Sequence, residues 1–587
     1  MSKINLVYNT IKYLRFRQFA YRGWYLLKKK VKKKPYKAGY SFTKINRISG
    51  YYSHEYVSDR SISIAEDILN NKFPFYAGEK IELSDGDWEL KNNTYRLKCF
   101  KLNSCDWLRN LNDAYMHTGD KKYIDKGIAL IDEWISKERS GINGDKWNPY
   151  VTANRILNFI GFLSVHADDE ELYRYAKHIS LAIRELRSNI EYQLGANHLL
   201  SEAKALMFGG YFINNKDIYN YGKNLLVDEY KEQFLEDGGH YERSISYHVE
   251  ALEQYFEAAY LMNYNRDKDF ETFSKMIKNS YIFLHNMIEV NGKIPLFNDA
   301  ADDYTWDAAD FLSTGELLYA SKSPRAVCGQ YYHMWQFDNV NRLDIDWKEI
   351  DTTKTGIYKD LFLEGNLWYD IMMDVGDNGP DYNLGHTHAD ALSIVLTSSK
   401  GRIIADSGVF TYNRCDERNK CRKTSAHNTI EIDSMDSAEV WGAFRTGKRG
   451  HTKLLKKSHS TDKVSIKAVS DGYAKVLHGP VFHTREYVRQ TGDNSIILRD
   501  TINSKNRHKG VLRFFLAPTV TYKLLDEHSI LLDENIYLEC TEIIKIEECK
   551  IAQNFGECSE TYCIKSDFDI DGDKEITTKI HFRKERS

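Results

Sequence analysis

The sequence predicts an α+β protein of several domains, in which an N-terminal antiparallel array of helices that can close into an (α/α) toroid is followed by a C-terminal antiparallel β-sandwich. Between about residues 60 and 335, apolar residues return every three or four positions, the period of helices that bury one face. After about residue 350 the period changes to two, as in strands. The 587 residues, 42% of them hydrophobic, suffice for two to four globular domains. We expect a basic arm over residues 1–55, a helical domain over 56–345 and a β domain over 346–587.

The basic arm is the most unusual part of the composition. Residues 1–54 contain 14 of the 81 lysines and arginines and no acid, which leaves 67 basic against 84 acidic residues, or −17, in the remainder. Ile4, Val7, Ile11 and Leu14 stand at helical intervals among these cations. The pattern is typical of an amphipathic helix on an anionic membrane surface, and equally of a solvated arm. The partner expected for residues 1–40 is such a membrane or a polysaccharide-assembly protein.

The targeting and redox signals favour a reducing compartment. The sequence shows neither the run of ~7–15 apolar residues of a secretory signal nor the ~20 of a membrane span. Nine cysteines without framework spacing indicate free thiols. We expect a cytoplasmic protein, peripheral at the inner membrane face, and leave a periplasmic location open. Nucleic acid is not an expected partner, because the basic excess is confined to the arm and no binding motif accompanies it.

The helical half consists of periodic segments of ~12–20 residues joined by short polar turns. Ile128, Ile131, Trp134 and Ile135 illustrate the period, and Thr118-Gly119-Asp120 illustrates a turn. Short connections place successive helices antiparallel, so the segments predict an array of helical hairpins that can close into a toroid.

The β half consists of short runs rich in β-branched residues and bounded by Gly, Asp, Asn or Ser. The runs that begin at Leu392, Gly401, Asn428, Val464 and Ser495 are examples. About 235 residues of this kind predict two packed antiparallel sheets.

The first polar cluster opens a helix at Gly195-Ala-Asn-His-Leu-Leu-Ser-Glu202. His198 and Glu202 are four residues apart and share one helical face, where the carboxylate can orient the imidazole. Asn197 is either a cap of this helix or a functional amide. The cluster is therefore either a capped helix with a surface pair or part of a site.

The second cluster runs from Asp237 to His248 and is dense in ionisable groups. Arg243 and Tyr247 are four residues apart, so a guanidinium beside the phenol would favour the phenolate. A phenol with an ordinary pKa of ~10 needs such help to act as a base. The alternative is that Tyr247 belongs to an aromatic core.

The remaining clusters lie in the β half. His386 and His388 are two residues apart on a predicted strand and so address the same side. Asp406 and His427 lie in separate segments. Two imidazoles and one carboxylate from separate strands suit Zn²⁺, although polar residues in unrelated loops give the same pattern.

Together these clusters resemble the heparinase II/III-like polysaccharide lyases, a family related to several alginate lyases. The motifs that carry the resemblance are, in order, Asn197-His-Leu-Leu-Ser-Glu202, Gly238-Gly-His-Tyr-Glu-Arg-Ser-Ile-Ser-Tyr-His248, Gly385-His-Thr-His-Ala-Asp-Ala-Leu-Ser393, Asp406-Ser-Gly408 and Arg422-Lys-Thr-Ser-Ala-His-Asn-Thr429. The combination is specific, whereas any one motif is weak. The layout of helices and strands extends the match to about residues 60–587, and the basic arm lies outside it.

The resemblance implies that the (α/α) toroid is incomplete, and it implies β-elimination, in which the C5 proton of a uronic acid is removed, the bond at C4 breaks and a 4,5-unsaturated sugar remains. It implies that Asn197, helped by His198, stabilises charge on the substrate carboxylate. Tyr247 and His386 match the family's acid and base, and uronate stereochemistry decides which one removes the proton. The polymer, whether glycosaminoglycan-like, alginate-like or a bacterial capsule or exopolysaccharide, stays open.

The resemblance also implies a zinc ion held by His388, Asp406 and His427, structural rather than catalytic, with the fourth ligand unassigned. Residues near the motifs are expected to contact the sugar. These are Trp147, Asn148, Arg155, Glu202, Glu242, Arg243 and Arg422. Glu202, Glu242 and Arg243 could instead orient other side chains, and Trp147 could equally belong to the core. Because a polyanion must bind to an acidic body, the arginines of this set are candidates for a locally basic groove.

Two other functions stay open. A glycoside hydrolase on a helical toroid would use two carboxylates. Asp237, Glu242, Asp299, Asp302 and Asp303 are available for them. A non-catalytic polysaccharide-binding or assembly protein would not need Tyr247 or His386, and both are present.

Overall fold

The computed structural model describes residues 3–30, 39–52, 59–91, 95–137, 144–329, 334–337, 340–460, 462–477, 479–490 and 492–583. Helices dominate up to residue 318 and strands from residue 357 onwards, as the change of period predicts. The fold class is therefore confirmed as a helical domain followed by antiparallel sheets.

The helices are numbered here in chain order. They are α1 Lys3–Ile11, α2 Phe16–Lys30, α3 Asp59–Leu69, α4 Arg96–Ser104, α5 Leu108–Thr118, α6 Lys122–Lys137, α7 Pro149–His166, α8 Asp169–Ser188, α9 Ala196–Phe212, α10 Lys216–Gln233, α11 Ile245–Tyr264, α12 Phe270–Met287, α13 Ala308–Ser313, α14 Gly315–Leu318, α15 Asp416–Cys421 and α16 Gly472–Val476. Several begin with the expected caps. Asp168 and Glu171 form a capping box at α8, and Asn148 caps α7 directly before Pro149.

Three helices, α7, α9 and α11, are buried on nearly every side and form the centre of the toroid. Apolar residues make up most of their length, and the polar residues Tyr150, His198 and Glu250 of these helices line a cleft. α9 packs against α7, α10 and α11. The N-terminal ends of α9 and α11 carry Asn197, His198 and Tyr247, so largely buried helices position these side chains.

The strands are also numbered in chain order. They are β1 Lys72–Pro74, β2 Lys80–Glu82, β3 Ile357–Glu364, β4 Leu367–Asp374, β5 Ile394–Ser398, β6 Gly401–Ile404, β7 Ile430–Ile432, β8 Val440–Trp441, β9 Arg445–Thr446, β10 Thr452–His459, β11 Lys463–Ser470, β12 Phe482–Gln490, β13 Ser495–Asn503, β14 Arg507–Phe515, β15 Tyr522–Leu524, β16 Ser529–Leu532, β17 Ile536–Cys540, β18 Lys545–Ile551, β19 Ser559–Asp571 and β20 Lys574–Phe582.

The β domain is built from an eight-stranded sheet and two four-stranded sheets, all antiparallel. Their strand orders are β10-β11-β12-β13-β20-β17-β16-β15, β18-β19-β14-β7 and β3-β4-β5-β6. One hydrophobic core joins all three, with Ile371, Leu498 and Ile564 as members from the three sheets. Alternate residues of long strands such as β13 and β20 face this core, which is why the sequence of these strands shows a period of two.

The N-terminal arm is shorter than predicted. Ile48, Tyr51 and Tyr52 are at most 2% exposed and belong to the core of the helical domain, so the arm does not extend to residue 55. Helices α1 and α2 pack against the rest of the protein through one side, which excludes a purely solvated arm for residues 3–30. Among the helices that the structure describes, none has the length and apolar character needed to cross a membrane.

Candidate active site

A cleft of about 1630 Å³ lies between the arm, the helical domain and the β domain. All four residues predicted to be catalytic line it, namely Asn197, His198, Tyr247 and His386. The volume exceeds the ~300–1,000 Å³ of sites for small molecules, and so accommodates several sugar units.

Tyr247 is 1% exposed and lies in the first turn of α11. Its hydroxyl lies 3.0 Å from the hydroxyl of Tyr412 and 3.3 Å from that of Tyr304. Burial, with the neighbouring Tyr304 and Tyr412, raises the pKa of Tyr247 well above its usual value. The phenol therefore holds its proton at neutral pH and is suited to donate it.

The imidazole of His386 packs against the ring of Tyr247, with 3.9 Å between the ring centroids. Its Nδ1 lies 2.8 Å from Oδ2 of Asp299, which also accepts from both terminal nitrogens of Arg418. Burial opposes ionisation of Asp299, yet the charge of Arg418 and the imidazole bonds hold its pKa well below the usual range. The ionised carboxylate fixes the Nδ1–H tautomer of His386, so Nε2 is the nitrogen available as a base.

Asn197 occupies the second position of α9, after Gly195 at the N-cap. Its amide nitrogen donates to Oε1 of Glu250 at 3.0 Å, and the same oxygen accepts from the hydroxyl of Tyr150 at 3.2 Å. The amide is thus held in place by a side chain and is not the helix cap. One amide hydrogen remains for an acceptor in the cleft.

His198 is oriented by Glu191, not by Glu202 as the helical spacing predicts. Its Nδ1 lies 2.8 Å from Oε2 of Glu191, while Glu202 accepts from the backbone nitrogen of Glu191 at 2.8 Å. Glu202 is fully buried, and burial beside Glu191 raises its pKa well above the usual value. Glu202 therefore supports the loop that carries Glu191 and does not contact sugar.

Glu242 does line the cleft and is 3% exposed. Burial raises the pKa of its carboxyl to about 7, partly offset by His386. Its Oε2 makes no hydrogen bond to any described residue. A carboxyl that is neutral near physiological pH can donate a hydrogen bond to an anionic substrate group.

The three arginines that were predicted to contact the sugar, Arg155, Arg243 and Arg422, do not line the cleft. Arg243 precedes α11 in a left-handed conformation with φ 58°, so it shares no helical face with Tyr247, and its Nη1 donates to the carbonyl of Asp377 at 2.7 Å. Arg155 is 1% exposed and stacks 4.0 Å from Trp134. Arg422 is fully buried. All three guanidinium groups donate to backbone carbonyls within the protein.

Trp147 and Asn148 also lie away from the cleft. Trp147 is 8% exposed and packs in the helical core against Trp134. The side chain of Asn148 accepts from the backbone nitrogen of Tyr150 and caps α7. The prediction that these two residues contact sugar is therefore wrong. Trp147 packs in the core of the helical domain, and Asn148 caps a helix.

The predicted zinc ligands lie close together and are buried, but they contact one another and do not form a complete metal site. The rings of His388 and His427 are 5.2 Å apart, and Nδ1 of His427 lies 2.8 Å from Oδ2 of Asp406. Nδ1 of His388 and Nε2 of His427 have no partner among the described residues. This donor set suits Zn²⁺. Within the same described residues, however, no three such groups converge in a metal-binding arrangement.

Several site residues escaped the sequence reasoning. Tyr304, Tyr412, Glu250 and Arg418 have no motif of their own, and Asp299 was considered for another role. The one available signal was Glu250, which lies three residues after Tyr247 on the same helical face. The other contacts join segments that are far apart in the sequence.

The chain is similar to known heparin-sulfate lyases. It is 27% identical over 395 residues to the enzyme of Bacteroides thetaiotaomicron, and the aligned region covers 60% of this chain and 54% of that protein. It is 24% identical over 375 residues to that of Pedobacter heparinus, covering 60% and 53%. The chain spans about half the length of the curated relatives it matches.

Solved structures share the fold. A crystal structure of heparinase III superposes with a TM-score of 0.69 at 18% identity, covering 93% of this chain and 88% of that one. The heparan sulfate lyase of Pedobacter heparinus superposes with 0.61 at 15% identity, covering 92% and 87%. These structures confirm the helical toroid and the β-sandwich.

Family profiles match both halves of the chain. The heparinase II/III N-terminus matches residues 11–319, and the heparinase II/III-like C-terminal domain matches residues 364–561. The first match includes much of the arm. On these matches, which together cover most of its length, the chain belongs to the heparinase II/III family.

Proposed function

We propose that this protein is a polysaccharide lyase that cleaves a uronic-acid-containing polymer by β-elimination. The observation that carries the proposal is the convergence of Tyr247, His386 and Asn197 on one cleft. A phenol and an imidazole in ring contact are an acid and a base held together, and the amide supplies a donor for a carboxylate.

The difficult step is removal of the C5 proton, which lies next to a carboxylate. The proton is barely acidic while that carboxylate keeps its full charge. We infer that the remaining amide hydrogen of Asn197, His198 and the neutral form of Glu242, all of which line the cleft, donate hydrogen bonds to the carboxylate. Such bonds strengthen as charge builds up in the enolate-like transition state, and so lower the barrier.

The protonation states favour a division of labour between the two reacting groups. Nε2 of His386 takes the C5 proton, the electron pair of that C–H bond forms the C4–C5 double bond, and the C4–O4 bond breaks. The hydroxyl of Tyr247 protonates the leaving oxygen. The raised pKa of Tyr247 supports the role of acid, and Asp299 supports His386 by stabilising the imidazolium.

The ring contact between the two residues also allows the site to be reset. After elimination, His386 carries an extra proton and Tyr247 lacks one. Because their rings are 3.9 Å apart, the proton can return through a bridging water without a bulk base. No metal is required for any of these transfers.

For the substrate, we propose a glycosaminoglycan of the heparin and heparan sulfate type, because the similar proteins are heparin-sulfate lyases. The test is ultraviolet absorbance of the unsaturated product over heparin, heparan sulfate, heparosan, hyaluronan, chondroitin and alginate. We expect a gain with at least one heparin-type polymer, and none with Tyr247→Phe. A folded protein that gives no gain with any uronate polymer would refute the proposal.

The glycosidase alternative has less support. Of its candidate carboxylates, Asp299 serves His386 and Arg418, Asp302 pairs with Arg402, and Asp237 binds the Thr355 backbone and hydroxyl. The oxygens of these three are engaged in structural contacts, so Glu242 and Asp303, which line the cleft, are the two carboxylates left to this alternative. Release of a reducing end without a gain in ultraviolet absorbance would favour hydrolysis instead.

We also propose that His388, Asp406 and His427 hold a structural zinc ion. The two unpartnered imidazole nitrogens support it. A bound ion would tie together segments of the β domain beside His386. Metal analysis should find one zinc per chain, lost together with thermal stability in His388→Ala. The exposed His451→Ala is the control, and zinc retained at full stoichiometry in His388→Ala would refute the assignment.

For the arm, we propose peripheral contact with an anionic membrane. Its outer side exposes apolar side chains beside basic residues, a combination that suits acidic lipid headgroups. The exposed fractions are 78% for Ile4, 86% for Phe16, 57% for Trp24 and 63% for Leu27.

Sedimentation with vesicles tests this contact. Wild type should cosediment with vesicles that contain phosphatidylserine and not with neutral ones, and Trp24→Ser should lose most of the binding. Trp368 is 49% exposed on the β domain, so Trp368→Ser is the matched control. Equal loss in both variants, or no binding by wild type, would contradict the proposal.

A further inference from the structure

We propose that Arg22 of the arm and Arg445 of the β domain form an anion-binding subsite in the cleft, which takes a sulfate or carboxylate group of the polysaccharide. This inference rests on the proposed function and extends it, because it assigns the arm a place in the substrate-binding surface. Four observations carry it.

The arm is fixed to the helical domain by polar contacts along α2. Arg15 forms an ion pair with Glu232 at 2.6 Å. Nζ of Lys28 donates to the carbonyl of Ser188 at 2.7 Å, and the hydroxyl of Tyr25 donates to the carbonyl of Ile190. The position of Arg22, between these anchors, is therefore set by the fold.

The same arm is fixed to the β domain through α1 and the residues after it. The indole nitrogen of Trp441 donates to Oγ1 of Thr10 at 3.1 Å. Arg449 donates to the carbonyl of Asn9 at 3.1 Å and stacks 3.9 Å from the ring of Tyr13. Trp441 pairs with Arg445 in the β8–β9 hairpin, so these contacts also fix Arg445 relative to the arm.

Arg22 and Arg445 both line the cleft and are both exposed. Within the described part of the chain, neither guanidinium forms an ion pair with a carboxylate. Both guanidinium groups line the one cleft, and partial burial together with the charge of Arg445 lowers the pKa of Arg22. An anion bound by both would relieve their repulsion and accept paired hydrogen bonds.

The arginine pair is connected to the reacting residues. Arg445 directly follows Phe444, whose ring lies 6.1 Å from that of His386, and both line the same cleft. Gln18 of α2 lines it as well. A polymer placed at His386 can therefore continue towards the arm, where its next anionic group meets the two arginines.

The test is equilibrium binding in the Tyr247→Phe background, which needs no turnover. The probes are a heparin octasaccharide, which has sulfates and carboxylates, and a heparosan octasaccharide, which has carboxylates only. Arg22→Ala and Arg445→Ala should each weaken binding about 10-fold, as expected for a lost charged hydrogen bond. Lys12→Ala is the control, because Lys12 is an exposed cation of the arm that does not line the cleft.

The two probes identify the group that is bound. A loss confined to heparin assigns a sulfate, and an equal loss with both probes assigns a carboxylate. Unchanged affinity in both arginine variants, or an equal loss in Lys12→Ala, would overturn the subsite, the latter by showing a diffuse field. Melting temperatures confirm that the variants fold. If wild type cleaves no polymer, the lyase proposal fails and the binding result still judges the subsite.

Discussion

Tyr247 is the residue on which the proposed reaction most depends. Removing its hydroxyl leaves the packing of the ring against His386 intact and removes only the proton that the leaving oxygen needs. We expect Tyr247→Phe to lower kcat by about 10³-fold, within the range for a lost general acid. The affinity for oligosaccharides should change less than about threefold, measured by calorimetry.

The matched control for this variant is Tyr522→Phe, a partly exposed tyrosine at the edge of the β domain. It should keep full activity. If Tyr247→Phe retained more than about a tenth of wild-type kcat, Tyr247 would not be the acid, and His386, once protonated by the C5 proton, would be the next candidate.

Glu242 leads to a prediction about stability and pH. Burial raises its pKa to about 7, against about 4.3 in an unfolded chain. Between these values the folded protein holds a proton that the unfolded chain has released, so stability falls as pH rises through the window. Glu242→Gln should nearly match wild type at pH 4, below this window, and exceed it at pH 8 by on the order of 3–4 kcal/mol.

Denaturant unfolding at both pH values measures this difference. Glu236 is exposed on the surface, and Glu236→Gln should show no such dependence on pH. A Glu242→Gln variant that differs from wild type equally at both pH values would show that Glu242 is ionised in the folded state.

The sequence predicts the central residues of the site but not the side chains that orient them. Asn197, Tyr247 and His386 could be recognised because each lies inside a short motif of the family resemblance. The strand predicted for His386 and His388 is wrong, since both lie in the loop between β4 and β5. The orienting partners were not found, because Glu191 and Asp299 reach their histidines through tertiary contacts. Regular spacing also misled: Arg243 lies before the helix that its spacing with Tyr247 presupposes.

At the scale of elements, α9 and α10 pack closely because glycine replaces a side chain at their contact. A Cβ on Gly222 of α10 would lie 2.5 Å from the backbone nitrogen of Met207 and closer still to the carbonyl oxygen of Ala203. Neither backbone atom can move without bending α9. Gly222→Ala should therefore lower the stability by about 2–3 kcal/mol, although alanine favours helix.

Gly23 of α2 is the matched control, because a Cβ there would meet nothing within 4 Å. Gly23→Ala should be neutral or stabilise by up to about 1 kcal/mol. Thermal and denaturant unfolding measure both variants. Equal effects of the two substitutions would mean that backbone entropy, and not the helix contact, determines the outcome.

The types of secondary structure in the two halves of the chain were predicted correctly from the sequence. The periods of 3.6 and 2 predict the helical and the β half, because burial of one face repeats with the geometry of the element. The arm was harder to predict. Its charges suggest a solvated or membrane-bound segment. In the structure, Arg15 and Lys28 bind the arm to the helical domain, and Thr10 binds it to the β domain. Such contacts leave no periodic trace in the sequence.

For the whole molecule, the site depends on how the two domains are held together. Asp299 comes from the helical domain and orients His386 of the β domain. Arg402 on β6 makes a second connection, with two bonds of 2.7 and 2.8 Å to Asp302 and one of 3.0 Å to Glu289. Its side chain is 5% exposed. A movement between the domains would therefore separate the base from its orienting carboxylate.

Replacing Arg402 with leucine tests this dependence. The change leaves Glu289 and Asp302 without their cation, and breaking one side of a buried ion pair costs about 3–5 kcal/mol. Because the lost contacts join the domains, we expect calorimetry to show the helical and β domains unfolding in separate transitions. Lyase activity should disappear with the first transition, since His386 and Tyr247 are supplied by different domains.

The control is Arg507→Leu, which breaks an ion pair of 2.9 Å with Asp571 on the surface of the β domain. Both side chains are more than two-thirds exposed, so solvent screens the pair and the expected cost is below about 1 kcal/mol, with the unfolding profile unchanged. Should Arg402→Leu unfold as wild type does, the coupling of the domains would lie in the arm or in the apolar contacts of Ile357, Met372 and Val395 with the helical core. Deletion of residues 3–30 would then separate the two transitions only in the first case.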